Sequence, residues 1–432
     1  MTTATIRAGS KLSEEVHDFV RRDFTPHYGR RRTEFESDEL WRQLADLGTE
    51  LWLDSGNFDE VRTVWTREFS ALTTNNSLLN QEVQTGTYDD LIVQAADLLG
   101  GYADLTEHEF MLEMAFILNA SHGLRLVEQS DAYVSVEEHT DLAHDQDRAV
   151  EYARRYYAIC PERFYVKIPF TPAGLLATRR ARLENIPINH TLGFSARQNY
   201  VIARLTQPNF VNVFLGRLNS FISQNGLGTG DYVGERATLA SQQAIHSLRA
   251  GRGFGTRQIG ASFRSWEQYV NLAGIDVITA PPNVAREFHA RKDQLPPLED
   301  QLGQNRAPGI NDDVDPEEIG LDTLWYVNDE VVRCVDALGD EDLDAFDAEG
   351  LVDFFEARGG SDFLVRWSNG EIATSAAEGK IPQLRNWADA LADRTIGLDS
   401  LMNLAGLNTF AADQKKMDDH VRAVLDRTGA RR

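Results

Sequence analysis

The 432-residue chain is 42% hydrophobic and 25% charged, an ordinary globular composition, and its formal charge is −24. That length fits one large α/β barrel with additions, or two to three smaller domains. The acidity excludes nucleic acid and anionic membrane surfaces as expected partners, because phosphate-bearing surfaces call for basic patches, and it reads most simply as a solvated surface. Cys160 and Cys334 have no paired spacing and suggest neither a disulfide framework nor a zinc site. No segment has the apolar length that spans a bilayer. The opening MTTATIRAGSKLSEE lacks the apolar stretch of a signal peptide. A cytoplasmic, soluble protein is the expectation.

In chain order, Ser37 is positioned to cap a helix whose apolar residues Leu40, Trp41, Leu44 and Leu47 lie on one face, with Gly48 as its stop. Strands are then predicted at ELWLD (50–54), SALTT (70–74), AYVSVEE (132–138) and RFYVKIP (163–169). Further strands follow at PINHTLGF (187–194), NFVNVFLG (209–216), RQIGASF (257–263) and IDVITAP (275–281). Thr171-Pro172 reads as the cap and first position of a helix after the fourth strand. Helical periodicity recurs in AGLLATRRARLEN, ARQNYVIARLT, ERATLASQQAIHSLRAG and WEQYVNLAG. Strands alternating with helices over about 240 residues predict a closed (β/α)8 TIM barrel. An open doubly wound sheet would carry a glycine-rich phosphate fingerprint after its first strand, where this chain has Ser55-Gly56-Asn57.

The expected division is an N-terminal helical extension (1–48), a barrel catalytic domain (49–290), and a C-terminal linker with helical elaboration packing on the barrel (291–432). QLPPLEDQLGQNRAPGINDDVDPEE reads as a connection. Helical patterns follow around TLWYVNDEVVRCVDAL, GLVDFFEAR, LRNWADALADR and AADQKKMDDHVRAVLDR. The run from Asp340 through Asp342 to Asp344 has Ala345 where a calcium loop has glycine and Leu351 where it closes with glutamate, and it is read as a solvated acidic face.

In such a barrel, polar residues at the C-terminal ends of strands converge on one mouth. Asp54 ends the first strand, the second runs into Thr74-Asn75, and Glu137 lies in the third. Lys167 interrupts the fourth, Asn189 and Thr191 lie in the fifth, Arg217 follows the sixth, and Ser262 and Arg264 follow the seventh. Singly, Asp54 could make an Asx-turn, Asn75 a loop contact, Glu137 an ion pair and Thr191 ordinary strand packing. Lys167 has no such plain reading, because a closed barrel has no edge strand for a charge to guard. Burial favours the uncharged amine, which is a nucleophile. A neutral amine condenses with a ketone to an imine. Protonated, that imine is an electron sink, so the neighbouring carbon–carbon bond can break, as in class I aldolase chemistry. Asp54 could take the β-hydroxyl proton, and Glu137 with Thr191 could relay the protons of water loss. Asn75 and Asn189 could hold polyol hydroxyls, while Arg217, Ser262 and Arg264 could bind a terminal phosphate.

With those residues in place, the chain resembles the transaldolase family. WLDSGN resembles the strand ending in the family's catalytic aspartate, which maps to Asp54. LTTNNSL is similar to its TTNPSL-type segment (Asn75), VSVE to its VS-x-E segment (Glu137), and YVKIPFTPAG to the stretch with the Schiff-base lysine (Lys167). INHTLGFS is similar to N-x-T-L-x-F-S (Asn189, Thr191), VFLGRL to PFVGR (Arg217), and IGASFRS to the phosphate-binding GASFR motif (Ser262, Arg264). FAADQKKMDDHV resembles the family's final helix. The resemblance implies transfer of a dihydroxyacetone unit from a ketose phosphate, such as fructose 6-phosphate or sedoheptulose 7-phosphate, to an aldose phosphate, through a lysine Schiff base. It implies sugar-phosphate substrates, no metal and no organic cofactor; a homodimer is allowed by the sequence. The chain departs from the pattern at Asn76, where the family usually has proline, and at Asn212 and Val213, where it usually has serine and proline. Phe214 keeps the family's phenylalanine; relatives that release free dihydroxyacetone tend to have tyrosine there. Two other readings are a related Schiff-base aldolase or transaldolase for another substrate, such as a sulfonated sugar or a secondary-metabolite precursor, and a non-catalytic barrel that binds sugar phosphates.

Overall fold

The computed structural model describes residues 6–339 and 341–430. The first five residues of the opening segment, and Asp340 of the acidic run, lie outside them. Eight parallel strands close into one barrel in sequence order: β1 (Glu50–Asp54), β2 (Phe69–Thr73), β3 (Tyr133–Glu137), β4 (Phe164–Pro169), β5 (Ile188–Thr191), β6 (Phe210–Phe214), β7 (Arg257–Ala261) and β8 (Val277–Ala280), with β8 paired back to β1. The (β/α)8 expectation holds, and each strand lies inside its predicted stretch or is offset by one residue. β5 and β7 stop short of their predicted ends because Leu192 and Ser262 take left-handed backbone angles, φ +64° and +67°, which end the ladder. Trp52, Tyr165, Tyr133 and Phe210 stack in the barrel's lower interior, with Trp52 to Phe210 at 4.7 Å and Tyr133 to Tyr165 at 5.1 Å between ring centroids. The lower half is therefore a packed plug and the cavity opens only above it.

Asp38, not Ser37, caps the helix Glu39–Asp46, accepting from the N–H groups of Leu40 and Trp41; Ser37 instead donates to Glu68. Asp is as good an N-cap as Ser, and only side-chain direction separates two adjacent candidates. Gly48 ends that helix at φ +95°, as expected. Thr171 caps the helix Pro172–Leu183 with its hydroxyl on the Gly174 N–H. Three helices that the sequence reading omitted, Asn76–Gln84, Asp89–Leu99 and Glu107–Ser130, form the crossover from β2 to β3. Both cysteines are buried and free.

Residues 291–321 contain no helix or strand, as expected of a connection, and helices Asp322–Trp325, Asp329–Gly339, Ala348–Glu356, Asn369–Glu378 and Ala388–Ala392 follow. Their apolar residues Val331, Val335, Leu351 and Phe355 share a core with Leu175, Leu176, Val201 and Ile202 of the barrel's outer helices. Asp342 caps a short 3-10 turn and Asp344 lies two residues on, an exposed face as expected. The final helix, Leu398–Thr428, starts well before the predicted AADQKK segment. It crosses the barrel mouth, held by Asn403 on the Leu192 carbonyl (3.1 Å) and His420 beside Asp89 (2.9 Å). Its start is fixed by a buried ion cluster. Arg197 donates to both Asp399 oxygens at 2.8 and 2.7 Å and to Asp362 at 2.8 Å, and Ser195 donates to Asp399 at 2.6 Å. Arg197→Ala leaves the Asp399 carboxylate buried without its cation, and should lower the free energy of the first unfolding transition by about 3–5 kcal/mol. Urea denaturation followed by tryptophan fluorescence checks this; an unchanged midpoint would mean that the cluster does not hold the helix.

Candidate active site

A cavity of about 290 Å³ sits at the C-terminal end of the barrel. Of the residues expected at the site, Asp54, Asn75, Lys167, Asn212, Phe214, Arg217, Ser262 and Arg264 line it. Glu137, Asn189 and Thr191 lie just behind this lining, each at most 2% exposed. Register explains the grouping. Glu137 of β3 is paired with Lys167 of β4, and Lys167 with Asn189 of β5, so three neighbouring strands present polar side chains at one level.

Lys167 is 3% exposed. Its Nζ donates to the Thr74 carbonyl at 3.0 Å and faces Glu137 Oε2 at 3.5 Å. Asp54 stands on the other side, on β1, and accepts from the Thr73 hydroxyl at 2.7 Å; Thr73 is in turn 2.8 Å from Thr279. Burial pushes the Asp54 carboxyl above the usual carboxylate range, against the pull of Lys167, Thr73 and Arg264. Burial likewise raises Glu137, against Lys167 and the backbone N–H of Asn76. That N–H belongs to the first helical residue after the cap Asn75, a position where proline is favoured but can donate nothing. Asn76 also sends its side-chain amide to the Glu138 carbonyl at 3.3 Å. The departure at Asn76 thus exchanges a stiff turn for donors that hold the end of β3.

Asn212 differs from serine in a similar way. Its single amide nitrogen donates to Asn189 Oδ1 at 2.7 Å and to the His190 carbonyl at 2.8 Å, while Asn189 donates to the Ser135 hydroxyl at 2.8 Å. A serine hydroxyl has one proton and could make only one of the two bonds of Asn212. Asn75 spends its carbonyl on the Leu78 N–H at 2.9 Å, which leaves its amide for the cavity. The Thr191 hydroxyl is buried with no hydrogen-bond partner among the described residues, and so is one guanidinium nitrogen, Nη1, of Arg217.

Arg217 opens the helix Leu215–Gln224 directly after β6. Gly216 makes its approach to Ser262 and Arg264 feasible, because a Cβ there would fall 2.1 Å from the Ser262 carbonyl oxygen. Burial and then the neighbouring Arg264 hold Arg217 down to about 10. The rings of Phe214 and Phe410 each lie 5.6 Å from its guanidinium carbon. Phe410, Lys380, Thr73, Ser77 and Thr279 line the cavity and were missed in the sequence. Thr73 is the one with a local signal, as the residue before Thr74-Asn75 at the end of a predicted strand. Among the described residues, no group of three His, Cys, Asp or Glu side chains is placed to hold a metal, and no helix is long and apolar enough to cross a membrane.

The fold and this cavity define a (β/α)8 barrel with a buried primary amine between two carboxylates and an arginine pair at the far wall. Residues 51–348 match the family described as Transaldolase/Fructose-6-phosphate aldolase, and the chain is an enzyme that belongs to that family. It is 28% identical over 283 residues to a Probable transaldolase of Dictyostelium discoideum, covering 64% of this chain and 86% of that one. It is 28% identical over 290 residues to the Transaldolase of Xanthomonas campestris pv. campestris (strain B100), covering 65% and 88%. A transaldolase of Saccharomyces cerevisiae is 27% identical over 296 residues, covering 67% and 83%.

The raised Asp54 carboxyl carries a stability consequence. A carboxyl whose folded-state affinity for its proton exceeds the unfolded one stabilises the fold while protonated, and that contribution is lost as pH rises through its folded-state value. Asp54→Asn removes the ionisation, so its melting temperature should exceed that of the native protein by about 2 °C or more at pH 8, with the gap closing at pH 4. Calorimetry across that range checks the sign; a gap that widens toward low pH contradicts it.

Proposed function

We propose that this chain is a transaldolase that moves a dihydroxyacetone unit between sugar phosphates through an imine on Lys167. The donor would be a ketose phosphate such as fructose 6-phosphate or sedoheptulose 7-phosphate, and the acceptor an aldose phosphate such as erythrose 4-phosphate. The observation that carries the reading is the Lys167 amine, 3% exposed, facing Glu137 in a cavity also lined by Asp54. Its nucleophilic form attacks the ketose carbonyl. Glu137, with a water held at the unpartnered Thr191 hydroxyl, moves the protons that turn the carbinolamine into an imine and release water. Asp54 takes the proton of the β-hydroxyl, which sits on the far carbon of the bond that breaks; that carbon leaves as the aldehyde of the aldose product and the electron pair stays in an enamine. The enamine then attacks the acceptor aldehyde, Asp54 returns its proton to the new hydroxyl, and water frees the product ketose from Lys167.

Asn75 would donate its amide, and Asn212 would offer its carbonyl oxygen, to hydroxyls of the bound chain, with Asn189 orienting Asn212. Arg217, Ser262 and Arg264 would take the terminal phosphate, and the free guanidinium nitrogen of Arg217 supports this. Phe214, packed between Phe194 and Arg217, brings no hydroxyl to the imine, which favours transfer to a second sugar over release to water.

Sodium borohydride with fructose 6-phosphate should fix a three-carbon adduct on the peptide containing Lys167, read by mass spectrometry. Lys167→Met should lower turnover by at least about a thousandfold while keeping the fold, since methionine suits the buried apolar stem. Absence of adduct, or turnover within tenfold of native in that variant, would remove the imine mechanism. Arg264→Ala should raise KM for phosphorylated substrates by about tenfold or more, with kcat much less affected. Steady-state kinetics checks the split, and an unchanged KM would take Arg264 out of the phosphate site.

A further inference from the structure

The anion end of the cavity receives one more cation, from a part of the chain outside the stretch matched to the family. Lys380 lines the cavity together with Arg217, Ser262 and Arg264. It lies on the turn between the helix Asn369–Glu378 and the 3-10 turn Leu384–Asn386, whereas the family match ends at residue 348. Gly379, at φ +80°, permits that turn.

Both flanks of the turn are pinned. On one side Glu378 accepts from Trp387 Nε1 at 2.8 Å and from Asn386 Nδ2 at 2.5 Å. On the other, Asn225 donates to the Pro382 carbonyl at 3.0 Å and accepts from the Leu384 N–H at 2.8 Å. Asn225 is the C-cap of the helix whose first turn bears Arg217. The element that delivers Lys380 is therefore registered on the helix that delivers Arg217.

Lys380 makes no close ion pair with a protein carboxylate among the described residues. Asp413, the carboxylate that acts on it through space, is already engaged by Lys416 at 2.8 Å and by the Ser77 hydroxyl. No ion pair among the described residues includes Lys380. Lys380 is exposed at the rim, and partial desolvation and then Arg217 depress its amine against the pull of Asp413, with Arg264 adding to the effect, as expected where cations crowd one space. Arg217 Nη1 is buried and unpartnered in the same place. A multiply charged anion between these groups would relieve the repulsion.

We propose that Lys380 is a third anion-binding residue of this site and sets its preference for a doubly charged terminal phosphate over a singly charged group such as a sulfonate. The inference rests on the sugar-phosphate reading above and narrows it. Two fixed guanidiniums would bind either tetrahedral group, since their forks match its oxygens. A third charge adds attraction in proportion to the charge of the ligand, so it favours the dianion. Lysine suits the rim position, where a flexible stem lets a point charge follow the arriving oxygens.

The test uses the full chain, its Lys380→Met variant and its Lys380→Arg variant, titrated calorimetrically with inorganic phosphate and with methanesulfonate at pH 8. Lys380→Met should weaken phosphate binding about five- to tenfold and methanesulfonate binding about two- to threefold, so that the preference for phosphate narrows; Lys380→Arg should restore most of it. Equal phosphate affinity in native and Lys380→Met protein overturns the assignment. Equal loss for the two anions overturns the selectivity. Borohydride trapping on the native chain is read separately. If no adduct forms while Lys380→Met still weakens phosphate binding, the anion site stands and the transfer mechanism falls; if the adduct forms and phosphate affinity is unchanged in the variant, only Lys380 is removed.

Discussion

A lysine amine inside a closed ring of strands has to find acceptors at its own level, because no water reaches it in bulk and desolvation without partners is prohibitive. In parallel strands that level is set by register. The pairing of Glu137 with Lys167 and of Lys167 with Asn189 puts a carboxylate and an amide beside the amine, and the Thr74 carbonyl at 3.0 Å completes its surroundings. A one-residue slip of β4 would send Lys167 to the outer face among helices and bring an apolar neighbour inward. The aromatic plug below, from Trp52 to Tyr133, has no such freedom, since Trp52, Tyr165 and Phe210 each pack against the other two and Tyr133 stacks on Tyr165. The tight lower barrel thus fixes the register on which the polar upper level depends.

The mouth is finished by elements far away in sequence. The cluster of Arg197, Asp362 and Asp399 anchors the start of the final helix over β5, and that helix carries Phe410 to within 5.8 Å of the Lys167 amine and 5.6 Å of Arg217. Gly406 lets the helix come down onto Leu192, where a Cβ would fall 2.8 Å from a methyl carbon. Phe410 covers apolar and cationic surface together, which keeps water from the cavity side of Lys167 while leaving the arginines their charge. A buried ion pair is weak evidence of stability on balance, yet it is a strong device for fixing orientation, because a misplaced Asp399 would be left without its cation.

Most of the barrel was legible in the sequence, and so were the side chains borne on strand ends. Strands buried on both faces show as short apolar runs, and a lysine or asparagine inside such a run stands out against them. The helix Glu107–Ser130 was not legible because it is buried nearly all round, with polar residues such as Glu113, Asn119 and His122 on its inner faces, so it offers no periodic stripe. Ser37 and Asp38 could not be separated because both have the right chemistry for one cap. Phe410 and Lys380 escaped for a different reason. Each is an ordinary residue in its own segment, exposed or amphipathic by pattern, and becomes part of the cavity only through the docking of the C-terminal helices. No local spacing encodes that docking; the apolar positions Val331, Val335 and Phe355 announce a face to be buried but not which face of the barrel receives it.

The chain's charge of −24 gives the cationic wall a particular significance. Beyond a Debye length of about 8 Å at physiological salt, surface carboxylates are screened, so an anionic substrate meets mainly the charges near the mouth. Those nearest it include Asp413, Asp54 and Glu137, any of which repels a phosphate when ionised. Raising Asp54 and Glu137 through burial reduces part of that repulsion, and Lys416 neutralises Asp413 at 2.8 Å. What is left over is positive: Arg217, Arg264 and Lys380, of which only Arg217 is fully enclosed. On the sugar-phosphate reading proposed above, an acidic protein has to build its attraction locally, from groups close to the ligand. On that reading, two arginines on the barrel would supply the geometry of that attraction, and a lysine delivered by the C-terminal addition would supply the charge that distinguishes two negative charges from one.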